Sequence, residues 1–268
     1  MQIEIFKVII LKQIFKVEKR YVAFCDVIGF KNLIFSENLI NVANKYNNLI
    51  QDAYKIASKI SMPKIKHFKE YKLNYTIFSD ALFAWSESFS EQVVDIWKYD
   101  HSFLNLISLL FKIGFKYNLP FRIGIAYGDC IIDPDKNIYM GIPLINAYET
   151  EGVQNWIGIG CHPSCLDSPI KSNLCFTTTD GITQGPIIPY RVPLNKHGNL
   201  ALDYTLDWPR WIENKEEIEV YIKSKIKETE CEHYILRWKR CLDYFRQRYN
   251  DLRDVRDSFI GGYYHSPV

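Results

Sequence analysis

The chain has 268 residues, 47% of them hydrophobic, which is enough to bury a sizeable core in one large domain. Its 33 Lys and Arg against 31 Asp and Glu leave a formal net charge of +2, a balance that argues against a general nucleic-acid binder. The 7 cysteines are an odd number scattered through a chain too long to need staples, which points to a reducing cytosol and not to a disulfide framework.

The opening MQIEIFKVIILKQIFKVEKR is apolar but broken by Lys7, Lys12 and Lys16. It is too short and too interrupted to span a bilayer, and no signal peptide is evident. Residues 1–19 read as a helix or edge element that packs on the domain or meets a partner, with a peripheral membrane contact as the alternative.

In YVAFCDVIGF, residues 21–30, an apolar run ends in an acid. The spacing predicts a buried strand over 21–26, with Asp26 at its exit and Gly29 permitting a tight departure. Asp26 has two readings. It caps the next helix, or it faces a ligand, because an unpaired buried carboxylate needs a cation, donors or open water.

Residues 38–61 carry an amphipathic stripe through Leu39, Val42, Tyr46, Leu49, Ile50 and Ala53, closed by Pro63. The basic stretch 64–71 reads as a loop. LNYTIFSDALFAWSES, residues 73–88, reads as a hairpin turning at Ser79-Asp80. Residues 89–116 read as a long apolar helix. FRIGIAYGD, residues 121–129, is a strand, and a turn at Asp133-Pro134 follows over 131–137. Residues 138–152 begin as a strand and become a helix after Gly141. A short strand is expected over 157–160. This order argues for an α+β domain built on one mixed sheet.

Beyond residue 160 the periodicity weakens into loops with short strands, such as one over 187–193. LDYTLDWPRW, residues 202–211, packs aromatics beside a proline. Residues 212–249 read as a long helix or helix pair, and the glycine-containing tail reads as loose. The chain therefore divides into an N-terminal helical segment (1–19), a main α+β domain (20–210) and a C-terminal helical extension and tail (211–268).

Asp26 and Asp80 form the constellation with chemistry. Two carboxylates on neighbouring strand ends suit Mg²⁺ or Mn²⁺, hard ions bound through few carboxylates plus substrate phosphates. Taken singly, each acid reads as a cap or turn residue. Cys161, His162 and Cys165 have no second half of a zinc site and read better as core residues. Trp208 and Trp211, near Arg210, read either as a base-stacking pair or, more simply, as core. No phosphate-loop motif, nucleophile elbow or zincin helix is present.

Four strings in order carry a family resemblance: AFCDVIGFKNL (23–33), YTIFSDALFAW (75–85), FRIGIAYGD (121–129) and YMGIPLINAYETE (139–151). Together they resemble the catalytic domain of class III nucleotide cyclases. The resemblance implies a ferredoxin-like core with a mixed or antiparallel sheet and extra terminal helices, working as a homodimer with substrate shared between subunits. It makes Asp26 and Asp80 the metal-binding acids for two Mg²⁺ or Mn²⁺ ions, and the Val27 carbonyl a backbone ligand. Backbone amides over 27–30, including Gly29 and Phe30, would surround the triphosphate.

The departures from the family pattern are specific. Lys31 stands where the family has Thr or Ser, and either approaches a phosphate or points to solvent. The positions of the usual ribose-orienting Asn and transition-state Arg hold Ile145 and Glu149, with Asn146 one place out of register. Arg122, Lys171, Arg191 and Lys196 are the candidate replacement cations, and Arg122 alternatively pairs with an acid. The base-selecting positions hold Asn74 and Ile138, so the adenine-type Lys/Asp pair is missing.

The branch most resembled is the pyrimidine cyclases of bacterial antiphage signalling. The late Val192-Pro193-Leu194 and Leu206-Asp207-Trp208 stretches add to that likeness. It implies a cytoplasmic enzyme making 3′,5′-cyclic UMP from UTP for a separate cyclic-nucleotide-binding effector. Cyclic CMP from CTP and an inactive nucleotide-binding regulator are the alternatives. A diguanylate-cyclase-like enzyme would want a GGDEF turn, which the turn Phe78-Ser79-Asp80-Ala81 does not provide.

Overall fold

A computed structural model describes residues 15–60, 73–88, 96–169, 174, 176–177, 183–195 and 200–259. The readings placed on 1–14, 61–72, 89–95 and 260–268 lie outside these.

The central strand is β1 (Glu18–Val27). Its alternation is complete: Tyr21, Ala23, Cys25 and Val27 enter the main core, while Val22 belongs to a smaller cluster on the opposite face with Phe24 packed against it. A short helix α1 (Phe30–Ser36) and the long α2 (Leu39–Ile60) follow. Asn38 starts α2, its side-chain oxygen accepting from the Ile40 N–H at 2.8 Å. Val42, Tyr46, Leu49, Ile50, Ala53 and Ala57 form its buried stripe. The hairpin β2 (Asn74–Phe78) and β3 (Ala81–Trp85) turns at Ser79, which sits at φ 58.

Helix α3 (Ile96–Lys116) is apolar around most of its circumference because it is enclosed, with Leu104, Leu106, Ile107, Leu109, Leu110, Phe111 and Ile113 all buried. Next come β4 (Phe121–Asp133), β5 (Ile138–Gly141), α4 (Ile142–Val153) and β6 (Ile159–Cys161). A small separate ribbon, β7 (Phe176–Thr177) with β8 (Thr183–Gln184), precedes β9 (Ile187–Pro189) and β10 (Tyr204–Leu206). The C-terminal helix pair is α5 (Lys215–Glu228) and α6 (Glu232–Phe259).

The main sheet runs β2-β3-β1-β4-β6-β10-β9, with β5 paired to the far end of β4. Every pairing is antiparallel except β4 with β6, which follow one another through β5 and α4. The protein is thus α+β, with a mixed, mostly antiparallel open sheet.

Several boundaries differ from the sequence expectation. β1 starts at Glu18, so the end of the expected N-terminal helix is strand. β4 does not stop at Asp129. It continues to Asp133 because β5 supplies ladder partners from Cys130↔Gly141 to Asp133↔Ile138. The third strand after α3 is shifted to Ile159–Cys161. β9 ends at Pro189, although the Tyr190 and Val192 N–H groups still donate to the Asp203 and Leu202 carbonyls beyond it.

The C-terminal helices join the same core. Trp208 stacks on Phe245 from α6, with ring centroids 5.4 Å apart, and also contacts Phe111. Buried Arg248 makes a two-pronged bond to buried Asp207, from Nε to Oδ1 at 2.9 Å and from Nη2 to Oδ2 at 2.6 Å.

The seat of α4 on β4 depends on Gly124. A Cβ there would run into the Ala147 carbonyl oxygen and lie 2.5 Å from the Glu151 backbone nitrogen. Gly124→Ala must therefore lift α4 from the sheet. The expected cost is about 1–3 kcal/mol of stability, read from urea denaturation. An unchanged midpoint would show that this helix is not held by close approach.

Candidate functional site

Where β1 ends, it changes from apolar to acidic. Asp26 lies across from Ala81 of β3 and Arg122 of β4. Its face is the α4 side of the sheet, with Phe24 and Val22, and not the main core. The side chain is 26% exposed, so a solute can reach it.

The hairpin turn brings Asp80 to the same place. The Val27 N–H donates to the Asp80 carbonyl oxygen at 3.1 Å, and the Ile28 N–H donates to the Pro120 carbonyl at 2.8 Å. Those two bonds tie the exit of β1 to the β2–β3 turn and the entry of β4. Gly29 then reverses the chain at φ 80, a conformation that suits glycine, and α1 begins at Phe30. Gly29 caps α1 without a side-chain hydrogen bond. Lys31 is exposed on the first turn.

Arg122 is the cation beside Asp26. Its Nη2 is 3.6 Å from Asp26 Oδ2, and its Nε donates to Glu151 Oε1. Glu151 reaches it from α4, where Pro143, Ala147, Thr150 and Glu151 form the buried stripe. Burial pushes the Asp26 carboxyl above its ordinary value, Arg122 pulls it down, and the charge of Asp80 pushes it up again. Burial likewise raises Glu151, against the opposing pull of Arg122. From the other side of the sheet, buried Tyr46 has a hydroxyl without a partner among the described residues. Burial raises its pKa, with Asp80 and Asp26 adding to the shift.

Among the described residues, no group of three or more His, Cys, Asp or Glu side chains is placed to hold a metal ion. The Asp26–Asp80 pair is a different arrangement: two carboxylates in mutual repulsion, with only oxygen donors. That set fits a hard divalent ion that keeps waters and takes its remaining ligands from a substrate.

The other residues named from the sequence are spread out. Asn74 is half-buried at the start of edge strand β2, in register with Trp85, which is itself paired with Val22. That is four residue steps from Asp26, roughly 13 Å along the strands. Its Nδ2 donates to Glu87 Oε1 at 3.1 Å. Ile138 is half-buried opposite Asp133, while the ring of its neighbour Tyr139 packs on Phe83 and Trp85. Arg191 is exposed just past β9, four strand positions from β1, about 19 Å by strand spacing. Lys171 and Lys196 lie outside the described residues.

Ile145 and Glu149 are both exposed on α4. Cys161 and Cys165 are buried free thiols, and His162 Nδ1 accepts from the Ser164 N–H at 3.1 Å. Trp208 is core, and Arg210 lies over the Trp211 ring at 5.3 Å. No described helix is long and apolar enough to cross a membrane.

Two residues of the site were not singled out from the sequence. Glu151 was readable as an acid in phase with Pro143 and Ala147 on a buried stripe. Arg237 of α6 is buried next to Trp238, and its charge is felt by Asp26, Glu151 and Arg122.

No family model matches the sequence, and no curated protein matches it. Solved structures similar to this chain include a guanylyl cyclase domain of a rhodopsin fusion protein from Blastocladiella emersonii. It is 16% identical at TM-score 0.49, over 71% of this chain and 98% of that one. A guanylate cyclase domain from Catenaria anguillulae in complex with GTP is 15% identical at TM-score 0.46, over 71% and 97%. A bacterial light-regulated adenylyl cyclase is 15% identical at TM-score 0.44, over 74% and 54%.

The raised carboxyl of Asp26 gives a signed prediction. The folded state holds that proton more tightly than the unfolded chain, so this group's contribution to stability falls as pH rises from the ordinary carboxylate value through the folded one. At pH 7 without divalent ions, Asp26→Asn should unfold at a temperature no lower than the unaltered chain. Adding Mg²⁺ should raise the midpoint of the unaltered chain and not that of the variant. A variant less stable in metal-free buffer would make the Asp26 charge structural.

Proposed function

We propose that this chain is a nucleotide cyclase that converts UTP to 3′,5′-cyclic UMP and pyrophosphate, using Asp26 and Asp80 with Mg²⁺ or Mn²⁺. The observation that carries this reading is the meeting of those two carboxylates at the exit of β1, beside an open glycine turn and an arginine. Two divalent ions bound there, with the Val27 carbonyl as a further ligand, would lower the pKa of the ribose 3′-hydroxyl and offset polyphosphate charge.

The chain's own groups have distinct tasks. The 3′-oxygen–phosphorus bond forms as the bond to pyrophosphate breaks, and the hydroxyl proton leaves to water. Gly29 keeps the backbone open where the polyphosphate would approach; of the amides over 27–30, those of Val27 and Ile28 are taken by the Asp80 and Pro120 carbonyls, which leaves Gly29 and Phe30 to meet it. Arg122 shares its charge between Glu151 and Asp26, and the end of its fork beside Asp26 would meet a phosphate oxygen there.

The pyrimidine preference rests on Asn74 and Ile138 standing where a purine-selecting pair is expected. An amide offers both a donor and an acceptor, which serves uracil or cytosine. A role in antiphage signalling through a separate effector belongs to the same reading. The specific observation favouring an inactive, nucleotide-binding regulator is that Ile145 and Glu149 occupy the positions of the usual Asn and Arg.

The proposed active form is a homodimer. Met140, Ile142, Ile145 and Tyr148 are exposed apolar residues on β5 and α4, beside the thinly covered sheet face that bears Asp26. A second copy seated there would bury them.

Pyrophosphate release, measured with each of the four ribonucleoside triphosphates and Mn²⁺, tests the reaction. A competition assay with mass spectrometry identifies the product. Cyclic UMP should dominate, with cyclic CMP as the secondary product, and Asp26→Asn or Asp80→Asn should abolish turnover in a folded protein. Dominant cyclic AMP or cyclic GMP would refute the pyrimidine preference, and near-normal turnover in either variant would refute the site. Ile142→Asp with Ile145→Asp should lower the mass seen by light scattering to that of a monomer, with loss of turnover. An active monomer would overturn the shared site.

A further inference from the structure

One buried charge of the site has no counterpart. Arg237 is only 9% exposed, and among the described residues it makes no hydrogen bond or ion pair. Its Nε is buried without an acceptor. A guanidinium stays charged and carries five N–H donors, so leaving its Nε buried without an acceptor has a cost. Its head lies over the Tyr234 ring, 5.4 Å from the centroid, a contact that holds the cation without using the N–H groups.

One bond ties this stretch of α6 to the chain just past α4. Arg240 Nη1 donates to the Asn155 carbonyl at 2.9 Å. Arg237 is one turn from Arg240 on α6, which brings it to the neighbourhood of the chain leaving α4. Charge interactions agree with that placement. Burial and Arg122 push the guanidinium of Arg237 down, while Tyr234, Glu151 and Asp26 support its charge. The exposed His233 is pushed below its ordinary value chiefly by Arg237, with further contributions from burial, Arg122 and Arg240. Positive charge therefore collects where this end of the sheet meets solvent. Glu151 is already bonded to Arg122 and does not neutralise both arginines.

We infer that Arg237 is a phosphate-contacting arginine, forming with Arg122 an anion subsite beside Asp26 for the polyphosphate of a nucleotide or for released pyrophosphate. A guanidinium fork matches two phosphate oxygens at once, which a point charge does not. The polyphosphate class follows from the neighbours: two arginines adjoin two carboxylates, a mixture that suits a multiply charged anion carrying divalent metal. The nucleotide part of this inference rests on the cyclase reading, whereas the anion subsite does not.

The test is calorimetric titration of the full chain with Mg²⁺-tripolyphosphate, Mg²⁺-pyrophosphate and Mg²⁺-UTP, comparing Arg237→Gln and Arg237→Lys with the unaltered chain. Arg237→Gln should weaken tripolyphosphate binding at least tenfold and Arg237→Lys should restore part of it. The UTP and pyrophosphate arms show whether the substrate chain, the product or both use the subsite. Removing an unpaired buried charge should leave the melting temperature of Arg237→Gln no lower than that of the unaltered chain. Equal affinity in Arg237→Gln, or no tripolyphosphate binding by the unaltered chain, overturns the inference, as does a lowered melting temperature with affinity retained. If Arg237→Gln does not fold, Arg237→Lys decides: a folded lysine variant with unchanged affinity overturns it. Arg237-dependent binding without turnover keeps the subsite and removes the cyclase reading. Turnover with Arg237-independent binding removes the subsite alone.

Discussion

The bond between Arg122 and Glu151 joins the two layers of the site. Arg122 is on the sheet and Glu151 on the helix above it, and both side chains are nearly buried, at 11% and 6% exposure. Pairs of this kind gain little net stability, because desolvation offsets most of the attraction, yet breaking one leaves an uncompensated charge. The pair therefore acts mainly as a register. It sets how α4 lies across β4, and it points the rest of the Arg122 fork toward Asp26 at 3.6 Å. Gly124 permits the arrangement by letting the backbone of α4 approach closely.

Charge balance bears on what the proposed ligands would do at this site. Asp26, Asp80 and Glu151 share this end of the sheet with Arg122, and the Asp26 and Glu151 carboxyls both sit above their ordinary values despite the nearby positive charge. Attraction within the protein is thus too weak to offset desolvation and the repulsion between Asp26 and Asp80. On the proposed reading, a divalent cation between the two aspartates would relieve that repulsion and leave the Arg122 charge for an anion, so metal and polyphosphate would favour each other's binding.

The two aspartates were legible in the sequence because each interrupts an apolar run at a strand end, where a carboxylate stands out. The hairpin at Ser79-Asp80 and the helices carrying Tyr46 and Leu110 were legible for the same reason: periodicity over long segments is a strong signal. The extension of β4 to Asp133 was not, since it depends on β5 as a distant partner and not on local preference. Glu151 and Arg237 were missed because a charged residue on an apolar stripe looks like an error of phase when its partner lies on another element. Arg237 and Arg122 are far apart in the chain, and no spacing rule connects them. Arg191 was attractive as a cation near a loop, but sheet order puts it at the opposite edge from Asp80.

The C-terminal helix shows how distant packing bears on the site. Arg237 and Arg248 are 248 − 237 = 11 residues apart on α6, which is about three turns, so they share a face. The bond of Arg248 to Asp207 fixes the rotation of that face against the aromatic core of Trp208 and Phe245. Arg240 fixes its height through the Asn155 carbonyl. With rotation and height both set, the helix holds Arg237 with its Nε buried and without an acceptor among the described residues. A helix kept only for core packing would gain by placing an apolar side chain there. Retaining a charge at that point, held by two separate polar anchors, is the pattern expected of a group whose partner arrives from solution.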